Sequence, residues 1–333
     1  MPGMTRALAL FIALLWCAAS ALAEVRAVRG FARTVADAER SVAFYENALG
    51  FKKVSEQIIS DRNFDELTGI FGTRVKIVTL RLGDETLELN QFLTPAGQPI
   101  PLDSRSNDLW FQHMAIVVSD MERAYRQVSR FNVQAISDAP QTIPASNTAA
   151  AGIQAYKFKD PDGHPLELLY FPPGKGAAKW HAAGERLFLG IDHSAFTIAD
   201  TERSLAFYRD VLGLKVAGAS LNSGATQEHL DNAFGAVVRI TGLRPARDAG
   251  PGLEFLHYLT PAGGRAAAPE ARVSDFTHTR SVLEVDDLPA TLQKLEHANA
   301  AFISARIVRL APYGQALMVK DPDGHALLLI QPN

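Results

Sequence analysis

The feature that most constrains this chain is that it repeats itself. Thr34–Lys52 reads TVADAERSVAFYENALGFK and Thr197–Lys215 reads TIADTERSLAFYRDVLGLK, identical at 12 of 19 positions. Leu87–Gly97 (LELNQFLTPAG) returns as Leu253–Gly263 (LEFLHYLTPAG), and Lys159–His164 (KDPDGH) returns as Lys320–His325. The three offsets agree within a few residues, so the chain is a tandem duplication. The copies are predicted to span 24–172 and 187–333, with a Pro/Gly/Lys-bearing stretch, 173–186, between them.

Each copy divides again. Four β-like runs (Val28–Val35, His113–Val118, Ile191–Ile198 and Arg280–Val285) are each followed by an amphipathic helical pattern. In the third unit Asp200 or Thr201 is placed to cap such a helix. Leu205, Phe207, Tyr208 and Leu212 form its apolar side, and Gly213 ends it. Further strand-like runs close the units at Thr86–Phe92, Pro165–Phe171, Leu253–Leu259 and Ala326–Gln331. The Asp-Pro-Asp-Gly-His turns before the second and fourth closing runs suit a type I turn feeding a hairpin, which makes His164 and His325 structural. The expected fold class is α+β, four βαβββ modules in tandem.

Composition is that of an ordinary globular protein with apolar mass for one or two cores: 47% of residues are hydrophobic and 21% charged. The net charge of −3, with no basic block, gives no electrostatic support for nucleic-acid binding. The first 23 residues stand apart. Met1–Arg6 carries one positive charge, Ala7–Ala19 is apolar, and Ala21-Leu22-Ala23 fits a cleavage site before Glu24. The run falls short of the roughly 20 residues that span a bilayer. A signal peptide, 1–23, is therefore predicted, with a periplasmic or secreted product and no membrane attachment after cleavage. Cys17, the only cysteine, would leave with it, which excludes disulfides, thiol catalysis and zinc–thiolate sites.

The helix motif ERSxAFYxxxLG and the ending DPDGHxLELLY resemble the vicinal oxygen chelate superfamily, that of glyoxalase I, bleomycin-resistance proteins, epimerases and extradiol dioxygenases. The resemblance covers Val25–Asn333 and implies that modules pair into two open barrels around divalent metals. It also implies that each module offers one ligand position on its first strand and one on its last. Aligned on one another, the modules place Gly30, His113, His193 and Arg280 at the first position and Glu88, Glu167, Glu254 and Leu328 at the second.

Two pairings are then open. If neighbours pair, neither site has a full ligand set, and Arg280 puts a fixed cation beside one of them. His278, of the same strand parity as Arg280, could substitute there. If the second module pairs with the third and the first with the fourth, one site is His113/Glu167/His193/Glu254. The other, Gly30/Glu88/Arg280/Leu328, cannot bind metal but can form a Glu88–Arg280 ion pair. The crossed pairing sorts the residues into one complete set and one dead one and is favoured. Two imidazoles and two carboxylates suit one divalent ion such as Fe, Mn, Ni or Zn. His257, on the opposite face from Glu254, reads as structural, and His181, His229 and His297 have no apparent partner.

The chemistry this set implies is glyoxalase-like: a lyase or isomerase moving a proton beside a metal-polarised oxygen of a small substrate, with Glu167 or Glu254 as general base. The positions that grip glutathione in glyoxalase I hold Val117, Thr197, Phe171 and Tyr258, so a different substrate and a more apolar, aromatic pocket are expected. The alternatives are a ring-cleaving dioxygenase and a non-enzymatic binding protein that sequesters a small molecule. Segments Gln57–Gly72, Asp138–Gly152 and Arg265–Asp275 are expected to be loops over the cleft. Monomer and homodimer both remain compatible with four modules in one chain.

Overall fold

The computed structural model of the protein describes residues 24–182, 184–247, 250–311 and 313–333. The predicted signal peptide, with Cys17, lies outside the described residues. Each module begins with an opening strand: Val25–Thr34, Gln112–Val118, Phe188–Thr197 and Thr279–Val285. A helix follows each, and its start is dictated locally. Asp37, Asp120, Asp200 and Asp287 each accept from the backbone N–H three residues on, as N-caps. In the third module Asp200, not Thr201, is the cap, and the helix changes to π geometry over Ala206–Val211. Gly50 (φ 72°) and Gly213 (φ 76°) end the first and third helices in the left-handed conformation that a side chain would disfavour. The closing strands are Glu85–Thr94, Pro165–Tyr170, Gly252–Thr260 and Ala326–Gln331.

The modules pair crosswise. One nine-stranded sheet joins the first and fourth modules through antiparallel opening strands, with Ala32 opposite Arg280. The other joins the second and third, with Ala195 opposite His113. In each sheet the closing strand of a module lies parallel to its own opening strand. Neither sheet closes into a full barrel among the described residues. Each therefore combines one module from either half of the sequence. A continuous apolar core, to which helices of all four modules contribute Tyr45, Val128, Tyr208 and Leu295, ties the two sheets together.

The two repeated motifs dock on each other. Asp160, in the second module's DPDGH turn, accepts from the Tyr45 hydroxyl at 2.9 Å, and Asp162 accepts from Arg40 and from the Ala36 backbone. Asp321 and Asp323 repeat this with Tyr208, Arg203 and Ala199. The turn is of the expected kind, with Gly163 N–H donating to Asp160 O and Gly324 N–H to Asp321 O.

The segment Gln57–Gly72 departs from expectation. The strand Lys52–Ile59 runs into a helix, Arg62–Thr68, that Asp61 caps and Gly69 (φ 68°) ends. Phe64 and Leu67, three apart, bury one face of that helix. The third module has its counterpart at Ala225–Asp231.

Candidate metal centre

Register builds the site. In the sheet of the second and third modules, Ala115 has His193 as its neighbour on one side and Glu167 on the other. Ala195 is likewise flanked by His113 and Glu254. Cross-strand neighbours share a face, so four functional side chains rise around two alanines too small to fill the space between them. His113 Nε2 lies 3.3 Å from Glu167 Oε2. His193 Nε2 lies 4.0 Å from that oxygen and 3.6 Å from Glu254 Oε1. Ligand atoms of His113, Glu167 and His193 all fall within 4.8 Å of one another, a cluster that could hold a metal, and Glu254 adjoins it through His193.

The donor atoms fit a cation. His113 Nδ1 and Nε2 and His193 Nε2 are buried without a hydrogen-bond partner, a costly arrangement in a protein interior. Burial drives the His113 imidazolium down to about 4, with Lys157 adding to the effect, so the ring is neutral and its lone pair free. At Glu167 burial opposes ionisation, but His113, Lys157 and His193 outweigh it and hold the carboxyl at about 2. At His193 burial favours the neutral ring, yet Glu254, Asp192 and Glu167 push it up to about 9. Burial and the charges of Glu167 and Asp192 raise Glu254. This is a site with surplus negative charge. Without a cation, the proton on His193 balances it.

Outer partners orient these groups. Asp192 Oδ2 lies 2.9 Å from His193 Nδ1, which fixes the ring with Nε2 toward the cluster. Asp192 is itself held by the Trp180 indole N–H at 3.0 Å and by Arg244 at 3.3 Å. On the strand next to Glu167, buried Lys157 places Nζ 3.9 Å from Glu167 Oε1 and 2.7 Å from Asp231 Oδ1. Asp231 also accepts from the Tyr258 hydroxyl at 2.7 Å and the Gln227 amide at 2.6 Å. Sequence reasoning missed Asp192, Lys157 and Asp231. The available signal was a lysine at an inward strand position where the fourth module has Met318.

A cavity of about 290 Å³ adjoins the cluster, lined by Asp192, Glu254, Ala149, Ala150, Gly218 and Gly242. Small residues share its walls with Ile240, Leu243, Leu253 and Arg244, and among the described residues no aromatic ring lines it, in contrast to the aromatic lining expected. Val117 and Phe171 instead pack with Trp180 and Leu189, and Tyr258 is engaged with Asp231. Of the three expected cleft segments, Asp138–Gly152 borders this cavity through Ala149 and Ala150. Gln57–Gly72 and Arg265–Asp275 border a different cavity of about 560 Å³ beside the other sheet.

In that other sheet the equivalent positions are sealed. Arg280 donates to Glu88 Oε2 at 3.2 Å and the Tyr313 hydroxyl to the same oxygen at 2.8 Å, while Leu328 sits fully buried among Phe64, Leu67, Phe92 and Met318. His278 lies two residues before Arg280, leading into the opening strand of the other sheet and outside the His113 cluster because the pairing is crossed, and burial with Arg280 and Lys320 nearby lowers it to about 3. His164 and His325 bond to the backbone oxygens of Phe276 and Thr197, and His257 to Thr201.

A family model described as Glyoxalase/Bleomycin resistance protein/Dioxygenase superfamily matches residues 28–168 and again 190–329. A 2-epi-5-epi-valiolone epimerase from an Actinomyces species is 30% identical over 155 residues, 44% of this chain and 81% of that protein. Glyoxalase I from Zea mays superposes with a TM-score of 0.60 at 16% identity, over 92% of both chains. A Bacillus subtilis protein provisionally assigned as a dioxygenase superposes at 0.57 with 14% identity, over 93% of this chain and 86% of its own.

Proposed function

The chain belongs to the glyoxalase/bleomycin resistance/dioxygenase superfamily, and from that membership we propose that it is a metal-dependent lyase or isomerase moving a proton in a small oxygenated substrate. The observation that carries this reading is the convergence of two buried, unpartnered imidazole Nε2 atoms with two carboxylates beside a cavity. His113, Glu167, His193 and Glu254 would hold one divalent ion, of the group Fe, Mn, Ni or Zn. Such an ion, when bound, supplies Lewis acidity toward a substrate oxygen.

The chain's own carboxylates divide the remaining work. Glu254 borders the cavity, its side chain is 23% exposed, and its carboxyl is raised, the properties a general base at neutral pH needs. Glu167 is buried, held ionised and turned toward Lys157, which suits a fixed ligand. Asp192 holds His193 in one tautomer. The likeness to an epimerase supports proton transfer over oxygen chemistry. Four protein ligands also leave two positions of an octahedron, where a catecholate and O₂ together need three.

The test is elemental analysis followed by solvent deuterium exchange into α-hydroxy ketones. About one divalent ion per chain and metal-dependent, anaerobic exchange are expected. Oxygen uptake with catechols would establish a dioxygenase instead, and absence of metal would leave a sequestering protein. We further propose export, on the pattern of residues 1–23. N-terminal sequencing of the expressed protein should begin at Glu24.

A further inference from the structure

We propose that Lys157, Asp231, Tyr258 and Gln227 form a bracket that holds Glu167 as a one-oxygen ligand, turning Oε1 away from the metal. They are positioning residues, and the proposal rests on the metal reading above.

The chain carries its own control. The two sheets are built alike, so every position of the bracket has a counterpart in the sealed site. Lys157 corresponds to Met318, Asp231 to Thr68, Tyr258 to Phe92 and Gln227 to Phe64. All eight residues are buried, so the contrast does not come from exposure. The sealed site fills the same space with apolar contacts, its Phe64 and Phe92 rings 6.4 Å apart. A buried ion pair is weak evidence of stabilisation, because desolvation offsets most of the attraction. If this pair served only the fold, the sheet with Met318 and Thr68 should need it too. It occurs beside the intact ligand set, and it is lost where His113, Glu167 and His193 become Arg280, Leu328 and Gly30.

Geometry gives the bracket its task. Glu167 Oε2 faces both imidazoles, at 3.3 and 4.0 Å, while Oε1 faces the Lys157 ammonium at 3.9 Å. Asp231 anchors the ammonium at 2.7 Å, and Tyr258 and Gln227 saturate the other oxygen of Asp231. The lysine cannot swing toward solvent, since its side chain is 2% exposed. A carboxylate so held offers one oxygen to a cation and keeps the other.

The experiment uses cobalt(II) as a probe on the full chain. The variant Lys157→Met/Asp231→Thr installs the residues of the sealed site and removes both charges together. It should fold and bind one cobalt about 10–100-fold more weakly, with shifted visible absorption bands as Glu167 is freed. Tyr258→Phe, a milder change that keeps the ion pair, should weaken binding about threefold to tenfold. Wild-type affinity and an unshifted spectrum in either variant would overturn the bracket while leaving the metal reading intact. A wild-type protein that takes up no cobalt would end both.

Discussion

Glu88 and Glu254 occupy equivalent positions in the two sheets, yet replacing each with alanine should have opposite consequences. Glu88 is the charged partner of Arg280, whose side chain is 2% exposed and which also donates to Asn90 Oδ1 at 3.4 Å. Glu88→Ala strands that guanidinium and also removes the acceptor of the Tyr313 hydroxyl. Breaking a fully buried pair from one side costs about 3–5 kcal/mol, and Glu88, with its side chain 15% exposed, puts this pair toward the lower end of that range. The His113 cluster lies in the other sheet, so metal content should not change. At Glu254 burial and the charges of Glu167 and Asp192 outweigh the pull of His193 and Lys157, so the ionised carboxylate is disfavoured on balance. Glu254→Ala should therefore leave metal-free stability level or slightly raised, and remove or strongly weaken metal binding. Urea unfolding of the metal-free proteins, with elemental analysis of each after metal loading, reads both effects. Loss of metal in Glu88→Ala with retention in Glu254→Ala would refute the assignment. So would a stability loss under about 1 kcal/mol in Glu88→Ala, since it would mean Arg280 is not dependent on that carboxylate.

Other outcomes follow from the same structure. Asp192→Asn should weaken metal binding about 10–100-fold without altering stoichiometry, because His193 loses the acceptor that fixes its tautomer. Isothermal titration with a divalent metal measures this. Asp160 is fully buried, and although burial opposes its charge, His164 and Arg33 hold its carboxyl well below the usual range. A depressed carboxyl contributes stability that is complete above the unfolded value of about 3.9 and is lost as pH falls below it. Asp160→Asn should therefore lower stability at neutral pH and flatten the decline below about pH 4, read from urea midpoints across that range.

How far the sequence reached can be judged from particular residues. The opening and closing strands, the aspartate caps and the glycine stops were legible because each is a local matter of periodicity and backbone geometry. The helix Arg62–Thr68 was not, since seven residues show too little periodicity to be told from a loop, and it is stabilised by burying Phe64 and Leu67 against the fourth module. The choice of four ligand positions came from aligning the modules, and their sorting into one complete and one broken set was already visible in the residue types.

What the amino-acid order determined by itself is the four-fold repetition of a βαβββ unit and the identity of the side chains at each inward position. What only the tertiary structure decided is which modules face each other, and so which side chains meet. Hydrogen-bonding register at the antiparallel seam between opening strands puts His113 opposite Ala195 and His193 opposite Ala115. Asp231 reaches Lys157 across 74 residues, and Asp192 reaches Trp180 and Arg244 from two further segments. Such contacts leave no periodic trace along a chain, because they depend on the packing of elements remote in sequence and not on the conformation of any one of them.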